Sequence, residues 1–245
     1  MAILPKARNA WSLLRLRELA LARARCPLCG PTLLIKLAND AISVRCIRCG
    51  ASAIHLSIMR VINELYPDLA PMTIYEMSSR GPLVEYLRHR AGKLVCSEYF
   101  DDVASGDFKD GTECQDVTRL TYPDESFDLC TSTEVFEHVP DDRTGFREVR
   151  RVLKPGGQFV FTVPLTESAS TQERATVVDG AVRHFLPPEY HGDTIRGQGK
   201  VLAFRNYGLD IADRLVEAGF RRAELVSGDG AKWWGLGTKV VVAEK

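Results

Sequence analysis

The 245-residue sequence contains no apolar run approaching the roughly 20 residues that span a bilayer. Its first stretch, "MAILPKARNAWSLLRLRELALARARC", is rich in leucine, but arginines recur every few positions. That pattern lacks the uninterrupted apolar centre of a secretory signal. The expectation is a cytoplasmic protein with no membrane partner. Acidic residues are scarce near the start. Residues 1–60 hold only Glu18 and Asp40 against ten Lys and Arg, a net +8, while the remainder carries 22 basic and 30 acidic residues, a net −8. The zero overall charge thus hides two electrically distinct parts, which suggests a separate N-terminal module. The two parts can attract one another, or the basic part can serve a nucleic acid or another acidic partner. No internal repeat and no low-complexity segment is visible.

Seven cysteines are present, and four of them are patterned. Cys26 and Cys29 form "CPLCG"; Cys46 and Cys49 form "CIRCG". Two-residue spacing lets both thiolates of a pair face one ion, and the glycine that follows relieves crowding as the chain turns back. Two such pairs supply the four sulfurs of a tetrahedral zinc site, and the pattern resembles a zinc ribbon. Four thiolates leave no position for water, so this Zn2+ would be structural. Redox disulfides and unrelated free thiols are the alternatives, the former disfavoured in a cytosolic setting. Between the pairs, two short strands are expected around a turn at Asn39-Asp40. Cys96, Cys114 and Cys130 lie singly and read as small buried hydrophobes.

Residues 53–66 have apolar positions at helical spacing, stopped by Pro67. From there short apolar runs alternate with helical patterns. Strands are expected over 72–77, 93–100, 112–117, 126–133, 158–164, 221–227 and 238–244, with helices over 81–91, 142–153 and 207–220. Lys154-Pro155-Gly156-Gly157 reads as a stop between helix and strand. Alternation of this kind predicts an α/β fold with a mostly parallel, doubly wound sheet. The expected organisation is a basic N-terminal helix and zinc ribbon over 1–52, a helical linker over 53–70 and a sheet domain over 71–245. The weakly patterned 165–206 would be a substrate or lid insertion. The N-terminal helix, with Trp11, Leu13, Leu14 and Leu16, has three candidate partners: the sheet domain, a second copy in a homodimer, or another protein.

Ligands of doubly wound sheets sit beyond the carboxyl ends of the strands. Glu76 falls at the end of the first such strand, Glu98 at the end of the second, 22 residues later, and Asp116 at the end of the third. A carboxylate about 20 residues past the first loop is placed to accept ribose hydroxyls. Any one acid alone is also explained as a cap or a solvated charge; three in register favour a nucleoside pocket.

The segments "CQDVTRLTYPDESFDLCTSTEVFEHVPD" and "FREVRRVLKPGGQFVFTVP" closely resemble class I S-adenosylmethionine-dependent methyltransferases of the small-molecule type. The resemblance runs over about residues 72–244 and is strongest over 114–164. It implies a seven-stranded Rossmann-like sheet whose last strand inserts antiparallel, with S-adenosylmethionine as cofactor. It also implies that Glu98, with Tyr99 beside it, holds the ribose and Asp116 the adenine amine. Val117 would lie beside the ring, and Ser132 would touch the amino-acid part through its backbone. The departure lies in the first loop. Glu76-Met77-Ser78-Ser79-Arg80-Gly81-Pro82 stands where the family has acid-x-Gly-x-Gly-x-Gly, so Ser78, Arg80 and Pro82 replace the glycines and Gly81 is out of register. Serine still permits close backbone approach, whereas proline excludes a positive φ. In this setting Arg80 would point outward and pair with the cofactor carboxylate.

Candidate groups for orienting or deprotonating the methyl acceptor are His138 and Glu134 in "EVFEHV" and His191 in "PPEYHGD", with Glu189, Tyr190 and Asp193 around it. Each has a bland alternative: His138 packing a helix start, Glu134 a solvated charge, His191 a surface residue. Trp233-Trp234 would line the pocket or pack the core. The leading reading is methylation of an oxygen or nitrogen on a small or carrier-borne metabolite. RNA methylation is the second reading, favoured by the basic ribbon. It is opposed by the acidic sheet domain and by the lack of an Asn-Pro-Pro-Tyr type motif. A non-catalytic binding scaffold is the third.

Overall fold

The computed structural model describes residues 19–40, 42–193, 199–228 and 238–245. The expectations for Trp11, Leu13, Leu14, Leu16 and Trp233-Trp234, and for the side chain of Asp193, lie outside the described part. The chain divides into two compact units. The first comprises the described parts of Met1–Asp68, Arg80–His89 and Ser227–Lys239; the second comprises Leu69–Ser79, Arg90–Val226 and Val240–Lys245.

In the first unit, strands β1 (Ala20–Cys26), β2 (Gly30–Lys36) and β3 (Val44–Cys46) form an antiparallel sheet. The strand pair around Asn39-Asp40 is present as β2 and β3. Asp40 shapes the turn by accepting hydrogen bonds from Ser43 N–H at 2.6 Å and Ser43 Oγ at 2.9 Å. Strand β1 was not expected. Its "ALARARC" alternates, with Leu21, Arg23 and Arg25 outward and Ala22 and Ala24 inward, which is the two-residue period of a strand. Helix α1 (Ala53–Leu65) begins at Ser52, whose Oγ accepts from His55 N–H, and buries Leu56, Ile58, Met59, Val61 and Ile62. That buried face makes α1 a core helix of this unit. Helix α2 (Pro82–Arg88) opens with proline in its first turn, after Gly81 at φ 112°. It is tied to α1 by Tyr86 Oη donating to Asn63 Oδ1 at 2.7 Å.

The second unit is built on strands β4 (Thr73–Glu76), β5 (Lys93–Glu98), β6 (Phe108–Lys109), β7 (Thr112–Cys114), β8 (Phe127–Thr133) and β9 (Leu153–Thr162). An inserted segment holds β10 (Gln172–Glu173), β11 (Ala175–Val178), β12 (Ala181–His184), β13 (Tyr190–Asp193), β14 (Gly199–Leu202) and β15 (Arg205–Asn206). Strands β16 (Arg222–Ser227) and β17 (Lys239–Glu244) complete the sheet, whose order is β16-β17-β9-β8-β4-β5-β7-β6. Strands β9, β8, β4, β5 and β7 run parallel, β17 enters antiparallel to β9, and β6 is a two-residue antiparallel edge beyond the seven strands expected. Helices α3 (Asp142–Val152) and α4 (Ile211–Glu217) pack with this sheet. The core between them is aromatic: Phe136 stacks on Phe146 at 4.6 Å and Phe159 on Phe161 at 4.1 Å. Cys114 and Cys130 are buried as expected, and Cys96 is half-buried.

One expectation is corrected. Lys154-Pro155-Gly156-Gly157 does not separate helix from strand, because β9 begins directly at Leu153. The four residues form a bulge, with the β8–β9 register shifting between Phe127 and Leu129. Gly156 has φ 75°, and a Cβ on Gly157 would meet Lys154 O at 2.9 Å and Asp128 O at 3.0 Å. Lys154 Nζ fastens the bulge to the Asp128 carboxylate at 2.8 Å. The segment 165–206, weakly patterned in the sequence, forms three antiparallel pairs: β10–β15, β11–β12 and β13–β14. The β11–β12 hairpin turns at Asp179-Gly180, with φ 51° and 76°, a two-residue turn suited to strand twist.

Candidate functional site

The sheet reverses its winding where β4 and β8 lie side by side, the place where doubly wound folds open a crevice. Register puts the expected acids along that edge. Glu76 ends β4 opposite Cys96, so Glu98 lies two residues further on β5; Glu98 faces Cys114, so Asp116 lies two residues beyond β7. Ser132 follows Thr131, the residue of β8 opposite Glu76.

Glu76 is fully buried and accepts a short hydrogen bond from Thr131 Oγ1. Burial, reinforced by nearby Glu98, pushes its carboxyl up to about 8. Glu98 Oε1 accepts from Ser79 N–H at 2.8 Å, Ser79 Oγ at 2.9 Å and Ser78 Oγ at 3.4 Å. The glycine-poor loop is thereby fastened to the strand-end acid through serine hydroxyls. Ser79 was not singled out from the sequence. Arg80 and Gly81 belong to the first unit. Asp116 Oδ1 accepts from Thr118 N–H at 2.8 Å and Oγ1 at 2.7 Å, a turn that aims its side chain. Val117 packs at the edge of the aromatic core, and Tyr99 is 44% exposed. Ser132 is buried, and its Oγ has no hydrogen-bond partner among the described residues.

Beyond Ser132 the chain turns at Glu134, a non-glycine residue at φ 54°, into the 3-10 turn Phe136–His138. Arg205, 3% exposed, locks this turn to the insertion. Its guanidinium donates to the carbonyls of Phe136 at 3.1 Å, Val139 at 2.5 Å and Pro140 at 2.8 Å. Phe204 N–H adds a bond to Glu137 O at 2.7 Å. The result brings His138 and His191, 53 positions apart in sequence, to a ring separation of 4.9 Å. Both approach Glu137 Oε1 at 3.5 Å, an ion-pair distance rather than a strong hydrogen bond. Glu137, 1% exposed, was missed in the sequence, where nothing distinguishes it from a helix-capping acid. Glu137, then opposing burial, then Glu189 act on His191, and the carboxylates win and hold it above the ordinary imidazole value. Part of the Glu134 side chain faces solvent, yet burial of its carboxyl and repulsion from Glu137 push it up to about 8.

In the first unit the four patterned cysteines converge, their sulfurs all within 4.8 Å of one another. Cys26 Sγ lies 3.6 Å from Cys49 Sγ, and Cys29 Sγ 3.5 Å from Cys46 Sγ. A disulfide would require about 2.05 Å. Tetrahedral thiolates at about 2.3 Å from zinc stand about 3.8 Å apart, so the cluster fits a four-sulfur zinc site.

Residues 77–161 match the model of a family described as a methyltransferase domain. Over these residues the chain is similar to that family. A sarcosine/dimethylglycine N-methyltransferase of Halorhodospira halochloris is 27% identical over 155 residues, covering 52% of this chain and 56% of the relative. A ubiquinone biosynthesis O-methyltransferase of Coxiella burnetii is 38% identical over 50 residues, covering 20% of this chain and 21% of that protein. The chain thus spans about half or less of the length of these relatives. Among solved structures, a chain of the complex between the Haloferax volcanii Trm112 methyltransferase activator and its methyltransferase shares the fold. It has a TM-score of 0.50 at 15% identity, covering 78% of this chain and 89% of that one. The matched segment 77–161 holds Glu98, Asp116, Ser132, Glu134, Glu137 and His138; His191 comes from the insertion. No described helix is long and apolar enough to cross a membrane.

Proposed function

We propose that the chain is an S-adenosylmethionine-dependent methyltransferase acting on an oxygen or nitrogen of a small or carrier-borne metabolite. The observation that carries this reading is the alignment of Glu98 and Asp116 along the carboxyl edge of the methyltransferase sheet. Their chemistry fits the cofactor. Glu98 would accept the ribose hydroxyls and Asp116 the adenine amine, with Val117 against the ring and the Ser132 backbone at the amino-acid end. Glu76 and Ser78 would shape the loop that faces the sugar. The cofactor, when bound, supplies an electrophilic methyl group. The chain's own contribution is orientation and proton control at the acceptor. His138, His191 and Glu134 lie beyond β8, where Arg205 and the insertion hold them in place. The names of the relatives point to both nitrogen and oxygen acceptors.

In this reading the four cysteines hold a structural Zn2+, their spacing and separation being the support. One observation favours a second reading, a non-catalytic scaffold: Glu98 Oε1 already receives three donors from Ser78 and Ser79. Cofactor titration separates the two. Binding that weakens at least about tenfold in Glu98→Ala supports the enzyme, a loss in line with one charge-assisted hydrogen bond. No binding in the zinc-loaded wild type supports the scaffold.

A further inference from the structure

Glu137, His138 and His191 form a second convergence of ligand-type atoms, all within 4.8 Å of one another. The outer bonds of both histidines decide what the inner nitrogens present. His138 Nδ1 lies 2.8 Å from Leu202 O, and a carbonyl can only accept. The ring therefore donates from Nδ1, and its Nε2 faces Glu137 Oε1, 3.5 Å away. His191 Nε2 lies 3.3 Å from Glu189 Oε1, and its Nδ1 faces the same Glu137 oxygen at 3.5 Å. Two imidazole nitrogens thus face a carboxylate that is 1% exposed. Neither oxygen of that carboxylate has a hydrogen-bond partner among the described residues. Burying a carboxylate costs several kcal/mol unless a proton or a cation lies beside it.

We propose that Glu137, His138 and His191 bind a divalent transition-metal ion at the carboxyl edge of β8. The donor set of two imidazoles and one carboxylate suits borderline ions such as Fe2+, Co2+ or Zn2+. The outer bonds to Leu202 O and Glu189 are those that orient metal-bound histidines elsewhere. Three protein ligands leave positions open to water or an oxygen ligand, in contrast to the closed cysteine cluster. The site goes beyond the methyltransferase reading and does not depend on it.

The test uses the full chain with its cysteine cluster loaded with zinc, dialysed against Co2+. Zinc outcompetes cobalt at the thiolates, so added cobalt reports on the second site. Bound cobalt is counted, and its visible spectrum distinguishes nitrogen and oxygen ligands from sulfur. One Co2+ per chain with a nitrogen–oxygen spectrum, bound at least about tenfold more weakly in both His191→Ala and Glu137→Gln, is the expected result. Glu137→Gln keeps the side-chain shape and guards against a folding artefact in the other variant. Absence of cobalt uptake, or equal uptake by the wild type and both variants, overturns the site. The same samples are titrated with S-adenosylmethionine. Cofactor binding without cobalt uptake defeats the metal site and leaves the enzyme reading intact; cobalt uptake without cofactor binding does the reverse.

Discussion

At the scale of single residues, the cost of buried charge separates groups with otherwise similar side chains. Glu76 stands fully buried at a strand end, and its carboxyl is raised to about 8. A raised carboxyl favours folding in its protonated form. Its contribution is fully present below the unfolded value near 4.5 and is lost as pH climbs through 8. Glu76→Gln removes this dependence. The cofactor-free wild type should lose on the order of a few kcal/mol relative to Glu76→Gln between pH 5 and pH 8, measured by urea unfolding across that range. Parallel stability profiles for the two proteins would contradict the assignment. Arg205 is the second such residue. Arg205→Met removes the guanidinium's bonds to the carbonyls of Phe136, Val139 and Pro140 and should cost about 2–5 kcal/mol of stability. It should also weaken whatever His138 and His191 bind. Sequence alone made the strand-end acids visible, because the 22-residue interval from Glu76 to Glu98 is a property of the chain. Glu137 and Arg205 were not visible in this way. Their importance arises only when the insertion folds back on the turn after β8.

At the scale of elements, local chemistry overrode two sequence signals. Proline and paired glycines ordinarily punctuate a chain, yet in β9 they build a bulge pinned by Lys154 and Asp128. Gly157→Ala should destabilise by about 1–3 kcal/mol, since its new methyl meets backbone oxygens that cannot move cheaply. A thermal shift within error of the wild type would show that the bulge relaxes. The insertion went unrecognised as a set of hairpins because its strands are short and exposed on both faces, so burial leaves little alternation to read. The Asp179-Gly180 turn was nonetheless present as a local hairpin signal. Strand β1 shows the opposite case. Its alternation was legible in "ALARARC", but the run of arginines drew attention to charge instead.

At the scale of the whole chain, the parallel sheet and the cysteine pairs were the most legible features, because each rests on a repeated spacing. The topology agrees with the doubly wound expectation, including the antiparallel entry of β17, and adds only the edge strand β6. A small three-stranded sheet buries too little apolar surface to be stable by itself, so a zinc ion held by its four cysteines should matter for folding. The purified protein should lose one equivalent of zinc in the Cys29→Ser, Cys46→Ser double variant, measured by elemental analysis, with a lower melting temperature. Unchanged zinc content would contradict the four-sulfur site.

The central proposal is that the doubly wound sheet binds S-adenosylmethionine despite the glycine-poor loop between Glu76 and Pro82. Calorimetric titration of the zinc-loaded protein with S-adenosylmethionine and with its demethylated product tests this most directly. Micromolar binding of both, lost in Asp116→Ala, is the predicted result. Absence of binding at millimolar cofactor would contradict it and leave the sheet as a scaffold.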